Sequence, residues 1–331
     1  MNPISLPVLF EWARRNRWIW SLVGVLLLWA LLSLLTSQFS LNSLSGVAVS
    51  SSFLALVALG QTVVVTTGRG NIDLSIASVM TLSAYVALIV IGGQDSRLPL
   101  GLAAILALGL VVGAVNAVLV LAVRIPAIIA TLATGYVLAT ATLLANRAIP
   151  GFAIAPALRV VAAGRVGGFP IMAILAIVAV GVAAIVLNRT AYGRTLSAVG
   201  QNVRAARLAG VRTIRVEAGA FLASSVLAAF TGLLLGAYVG GAFLEMGQPF
   251  LLQSLGAVVL GGTLIFGGSA TAFGTLFGSV LLILIVTTMQ IAGLPPGTQD
   301  MVQGIVIIAV LALAGGVAVR RRGARASSPS R

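Results

Sequence analysis

The sequence predicts an all-α integral membrane protein with about ten transmembrane helices and both termini on the cytoplasmic side. Three observations predict it: a hydrophobic, charge-poor composition, a series of charge-free runs long enough to cross a bilayer, and arginines placed mostly on one side of those runs. Of 331 residues, 60% are hydrophobic and 8% charged, and the mean hydropathy is +1.14. Ordinary soluble domains carry about 25% charged residues, so too little polar surface is present here to coat a water-soluble globule.

A helix that crosses the bilayer needs about 20 apolar residues. After an N-terminal segment (residues 1–17), charge-free runs cover residues 18–68, 74–94, 98–123, 125–146, 166–188, 218–244, 246–299 and 301–319. The runs of 51 and 54 residues each have room for two spans and a turn. Each also holds a break, at Thr36-Ser37-Gln38-Phe39-Ser40 in the first and at Gly267-Gly268-Ser269 in the second. Six single runs and two double runs give ten helices in a transmembrane domain of residues 18–319. A cleavable signal peptide is not expected, because the first apolar stretch is long and lacks a small-residue cleavage site. It reads as the first span.

Cytoplasmic loops are enriched in Lys and Arg, which tests the count independently. With the N-terminus inside, sixteen arginines fall on inside segments and four outside, the latter being Arg97, Arg147, Arg159 and Arg165. The residues that close the chain, 320–331, form a basic, Ser-rich cytoplasmic tail expected to be disordered beside anionic membrane lipid.

The net charge is +14, yet all twenty basic residues are Arg, and Lys, His and Cys are absent. A nucleic-acid partner is not expected, since such proteins gather their basic residues on a soluble face and here they alternate with apolar runs. Without His or Cys the usual zinc and haem ligands are missing. Without Lys there is no phosphate-binding loop of the G-K-[ST] kind, so the chain is not expected to be an ATPase or to hold a cofactor of its own. Six carboxylates over the whole length are thin material for acid–base catalysis.

Two loops break the apolar pattern. Residues 147–169 form the longest outside loop, where Pro150, Gly151 and Pro156 point to an irregular or re-entrant path. Residues 189–216 form the longest inside loop and carry six arginines. There, Tyr192-Gly193 and Gly200-Gln201-Asn202 read as turns, and residues 203–208 as a short helix capped by Asn202 and ended by Gly210. One reading is a docking element for a soluble partner, with Arg204 and Arg207 exposed to it. The other is a charged loop that only orients the chain.

Three strings carry a resemblance. AVGQNVRAARLAGV (residues 198–211), GNIDLSIASVMTLS (70–83) and AVVLGGTLIFGGS (257–269) stand in the order and spacing found in the ribose-type sugar permeases of bacterial ABC importers. The chain resembles that family from about residue 45 to 315. The resemblance implies ten helices in the bacterial inner membrane, a second permease subunit, cytoplasmic ATP-binding subunits that hold the ATP, and a periplasmic sugar-binding protein. It makes Gly193, Arg194, Gly200, Asn202, Arg204, Ala205, Ala206, Arg207 and Gly210 the candidate coupling residues toward the ATPase. The sequence departs from the family pattern at Arg69, where a small residue is usual, and at Gln303, where a Lys is common. Its GLPPGTQD string (293–300) is more similar to the galactofuranose-type subgroup.

Asp73 has two readings: a residue at the inside mouth of a passage, or a charge at the N-terminus of the third helix, favoured by the helix dipole and by Arg69 four residues earlier. A passage for a neutral polyol needs many weak hydrogen bonds and no fixed charge. Most Ser and Thr in the runs can satisfy themselves against the preceding helical turn. A lone amide in lipid cannot, so Gln61 and Asn116 join Asp73 and Ser75 as candidate pathway residues. Gly232, Gly236 and Gly240, like Gly274 and Gly278, recur at every fourth residue and suit close helix crossing, either within the chain or toward another subunit.

The expected function is the membrane passage of an ATP-driven importer for a monosaccharide. The alternatives are a branched-chain amino-acid-type ABC permease, whose charged ligand would favour fixed charges in the passage, and a secondary transporter, which would place a carboxylate mid-membrane.

Overall fold

A computed structural model describes residues 16, 18–36, 41–147, 151 and 153–309. Among the described residues, nine apolar helices follow the runs in order, α1 (Trp18–Thr36), α2 (Leu41–Thr66), α3 (Ile76–Ile91), α4 (Leu98–Ala117), α5 (Ala127–Arg147), α7 (Ile171–Arg189), α10 (Thr213–Val239), α11 (Gln248–Leu260) and α12 (Ala272–Ile291), and a further helical stretch, α13 (residues 296–309), comes after them. Between them lie α6 (Pro156–Ala163), α8 (Ala191–Gln201) and α9 (Val203–Leu208), which are too short or too polar to span. Among the described residues, six helical stretches are long and apolar enough to cross a membrane: Leu44–Thr66, Asp95–Ala122, Ala127–Arg147, Ile171–Arg189, Thr213–Val239 and Ala272–Ile291. Trp18–Leu34, Ile76–Ile91 and Gln248–Leu260 are shorter apolar helices. Of the expected breaks, Gly267-Gly268-Ser269 falls between α11 and α12, whereas most of Thr36–Ser40 lies outside the described residues, as do nearly all of 1–17 and the tail 320–331.

The burial pattern inverts that of a soluble protein. Leu34, Tyr136 and Val137 are largely exposed, at 82%, 69% and 69%, while Asp73, Asn116 and Ser224 are fully enclosed. Such an arrangement suits an apolar solvent, in which polar groups must find partners inside the protein.

At the centre stands α10, which packs against α2, α3 and α4. Glycines make this possible. A Cβ at Gly60 of α2 would lie 2.8 Å from the Ser224 Cα, and one at Gly109 or Gly113 of α4 would lie 2.7 Å from the Cα of Val226 or Leu222. On α10 itself, Gly232 abuts the Met80 carbonyl and Gly236 abuts Ala84, both on α3. Gly274 and Gly278 of α12 meet Gly261 and Ala257 in the same way. The four-residue spacing therefore serves contacts within the chain, and Gly240, with φ +84°, ends α10. α1 docks on α12 through stacked Trp18 and Phe277 rings 5.7 Å apart, and the Ser21 hydroxyl donates to the Leu260 carbonyl.

From residue 153 on, the loop expected on the outside is more regular than Pro156 suggests, while Pro150 lies outside the described residues. Pro156 occupies the first turn of α6, where its missing N–H costs nothing. The Asp95 carboxylate accepts from the Ala157 N–H at 3.0 Å and so closes the N-terminus of α6. A two-residue hairpin follows, with Arg165–Val166 paired to Phe169–Pro170. Its turn is Gly167-Gly168, both at positive φ, the sequence signature of a tight hairpin.

Candidate functional site

α8 and α9 lie at one end of the bundle. The Thr190 hydroxyl accepts from the Gly193 N–H at 3.3 Å and starts α8, while the Asn202 side chain accepts from the Ala205 N–H at 3.1 Å and starts α9. Ala206 is buried beneath α9, whereas Arg204, Ala205 and Arg207 are exposed and Leu208 is 90% exposed. Gly210, at φ +83°, then redirects the chain into α10. Arg194 is exposed but donates to the Arg189 carbonyl at 3.1 Å, closing the C-terminus of α7.

The expected turn at Tyr192-Gly193 is corrected, since both residues lie inside α8; of the expected turn at Gly200-Gln201-Asn202, Gly200 and Gln201 lie inside α8 and the chain breaks at Asn202. Their glycines serve proximity, not bending. A Cβ at Gly193 would lie 2.1 Å from the Leu187 carbonyl oxygen, and one at Gly200 would lie 2.0 Å from the Thr66 oxygen and 2.3 Å from the Gly268 nitrogen. Gly200 is thus wedged between the end of α2 and the α11–α12 loop. The Gly268 N–H donates to the Thr66 carbonyl at 3.0 Å, and the Gln201 amide donates to the Gly268 carbonyl at 3.3 Å. A Cβ at Gly267 would lie 2.3 Å from the Gly68 Cα. The three strings singled out in the sequence therefore meet, or adjoin, at one point. Nothing in any single string announces that meeting.

α8 is also pinned at its start. The Tyr192 hydroxyl donates to the Val216 carbonyl at 3.2 Å, and burial pushes its pKa up to about 12. It stays a neutral donor throughout the physiological range.

The four candidate pathway residues also come together. One Asp73 carboxylate oxygen accepts from the Ser75 N–H (3.0 Å) and hydroxyl (2.6 Å), and the other accepts from the Ser224 hydroxyl of α10 (2.8 Å). The Gln61 side chain accepts from the Asp73 N–H at 3.3 Å, and the Asn116 amide donates to the Ser75 hydroxyl at 2.9 Å. Thr131 of α5 accepts from the Leu74 N–H at 2.9 Å. Each of the four is at most 1% exposed, so they bond one another instead of facing open space. They tie the non-helical link between α2 and α3 to α4, α5 and α10, and the link needs such partners because its backbone has no helical ones. Among the described residues, Asn116 Oδ1 and Ser225 Oγ remain without a partner.

The expected pairing of Asp73 with Arg69 does not form. Four-residue spacing brings side chains together only on a helix, and Gly68, Arg69 and Gly70 take three consecutive left-handed conformations, with φ of 79°, 59° and 75°. Arg69 turns away and meets Glu217 of α10 at 3.9 Å. Glu217, only 3% exposed, was not singled out from the sequence. The signal available was its position directly after the arginine-rich loop of residues 189–216. Arg69 and Glu217 stand beside an open cleft of about 1030 Å³ between the α2–α3 link, the α4–α5 turn and the start of α10.

Residues 43–311 match the family described as branched-chain amino acid transport system / permease component. Among curated relatives, the autoinducer 2 import system permease protein LsrC of Escherichia coli O157:H7 is 33% identical over 311 residues, covering 93% of this chain and 89% of the relative. The protein of the same name from Enterobacter sp. (strain 638) is 34% identical over 306 residues, covering 91% and 87%. That of Yersinia pestis (strain Pestoides F) is 31% identical over 327 residues, covering 93% and 87%. No solved structure matches the chain.

Proposed function

The chain belongs to the family of permease components of branched-chain amino acid transport systems, and within it we propose the permease subunit of an ATP-binding-cassette importer for a sugar or similarly hydroxyl-rich small molecule. It is a multi-pass membrane protein. In this reading ten helices, α1–α5, α7 and α10–α13, span the cytoplasmic membrane, with both termini, α8 and α9 inside. ATP-binding subunits dock on α9, a second permease subunit completes the passage, and a periplasmic binding protein delivers the ligand to the outside loops near α6.

The observation that carries the reading is the Gly200 wedge. A force applied to α9 reaches α8 directly, and α8 touches the ends of two different hairpins, Thr66–Gly68 and Gly267–Gly268, by backbone contact. Such a joint converts a push at the membrane surface into a relative movement of α2 and α12. The substrate class is supported by relatives named for import of autoinducer 2 and not of an amino acid.

The test is reconstitution with the ATPase and the loaded binding protein in proteoliposomes. Binding-protein-dependent ATP hydrolysis with sugar accumulation is expected. Uptake driven by a proton or sodium gradient without ATP would overturn the proposal. Reporters fused after residue 155 should read as periplasmic, and those after residue 205 as cytoplasmic.

A further inference from the structure

We propose that the cleft beside Arg69 and Glu217 binds a phosphate-bearing anion, the headgroup of an anionic phospholipid in the cytoplasmic leaflet. The proposal rests on the inside assignment of α8 and α9 given above.

Charge is the first observation. Arg69, Arg124, Arg207, Arg212 and Arg215 line the cleft, and Glu217 is the one carboxylate among its lining residues. Among the described residues Arg69–Glu217 is the only ion pair, and Arg207 also lies close enough to act on the Glu217 charge, so three guanidinium groups around the opening, those of Arg124, Arg212 and Arg215, have no carboxylate against them. Cations confined in this way repel one another and attract an anion strongly at a low-dielectric boundary. Guanidinium forks match phosphate oxygens in particular.

Backbone strain at the same place is the second observation. Among the described residues only two non-glycines have positive φ, Arg69 at 59° and Arg124 at 68°, and both line this cleft. The left-handed conformation is disfavoured for an L-residue because its Cβ crowds the following carbonyl oxygen. Arg124 also follows a π-helical turn, Val118–Ala122, at the end of α4. Strained residues and π-turns gather where a ligand or a switch is served. Glycine at either position would fold more easily, yet arginine is present.

The floor of the cleft decides the source of the phosphate. Val120, Leu121, Ile125 and Ile128 lie among the arginines. Ile128 and the chain neighbours Val123 and Ile129 add further exposed apolar side chains, at 45%, 58% and 60%. A free phosphate or an acidic protein segment has no use for this track, whereas an acyl chain follows it from the headgroup into the bilayer. Basic pockets between helices on the cytoplasmic side are known to take lipid headgroups.

The experiment uses the full chain in nanodiscs of phosphatidylcholine with a minor fraction of phosphatidylglycerol, followed by native mass spectrometry of the lipids retained after release. Wild type should retain phosphatidylglycerol in preference to phosphatidylcholine. Arg124→Gln combined with Arg212→Gln should lower that retention at least fivefold, whereas Arg147→Gln combined with Arg159→Gln, which removes the same charge at the outside end, should leave it unchanged. Arg124→Gly relieves the strained backbone, so it should raise the melting temperature while lowering retention, a pairing that misfolding cannot produce. Equal retention in all variants overturns the proposal. Displacement of the lipid by low-millimolar inorganic phosphate overturns the choice of lipid in favour of a free anion. Loss of ATPase binding in the Arg124/Arg212 variant without any change in lipid overturns it in favour of an acidic protein segment. Because retention is read without transport, failure here leaves the importer reading standing, and failure of the importer assay leaves this one standing.

Discussion

Two neighbouring helices on the same face, α8 and α9, are held in opposite ways. α8 has no slack: Leu196 and Val199 are fully buried, Gly193 and Gly200 touch backbone, and Tyr192 is bonded to the base of α10. α9 rests on Ala206 and the Asn202 cap and offers Arg204, Arg207 and Leu208 outward. The difference separates two tasks that the loop of residues 189–216 merges in the sequence. In the proposed function α9 is the contact element and α8 the transmitting one. Charge marks the first, and the lack of a side chain marks the second.

The sharpest way to break this division is Gly200→Val. Its added carbons have to displace the Thr66 carbonyl or Gly268, and overpacking of that kind costs about 1–3 kcal/mol or more. Transport should fall more than tenfold, measured as sugar uptake in proteoliposomes, even where the protein inserts and the ATPase still binds. Next comes Arg204→Glu with Arg207→Glu. Both side chains are exposed, so the melting temperature should hold while ATPase stimulation drops on the order of tenfold, since reversed charge suppresses docking. If stability falls instead, α9 is a structural element and the division fails. Asn202→Ala removes the cap of α9 at a cost of about 1 kcal/mol, and a loss of coupling of only a few fold is expected, measured by stimulated ATP hydrolysis. The smallest effect belongs to Tyr192→Phe. The raised Tyr192 pKa favours the neutral folded form, so its contribution is complete below pH 10 and is lost as pH climbs toward about 12. Alkaline melting curves should show that loss in wild type and not in the Phe variant.

Much of the architecture was legible in the sequence because lipid enforces a simple rule, that spans are apolar and long. The order of the helices follows the charge-free runs, and the Asn202 cap and Gly210 stop are local chemistry that a sequence displays openly. Tyr192-Gly193 and Gly200 were misjudged because a glycine that bends the chain and a glycine that admits a neighbour look identical in one dimension. The Arg69–Glu217 pair was invisible for a related reason: its partners are 148 positions apart and meet only after three left-handed residues turn Arg69 away from Asp73. Gln61 and Asn116 are recognisable in the sequence as amides costly in lipid, and Asp73 and Ser75 as polar groups beside them. What could not be read was that they satisfy one another.

The glycine contacts around α10 have a consequence for the energy of motion. Where side chains interdigitate, a shifting helix dissipates part of the work done on it in rotamer changes along the interface. Against Gly60, Gly109, Gly113 and Gly232 there are few rotamers to change, because backbone meets backbone. In the proposed importer, a shift of α10 would therefore change little side-chain entropy along this track.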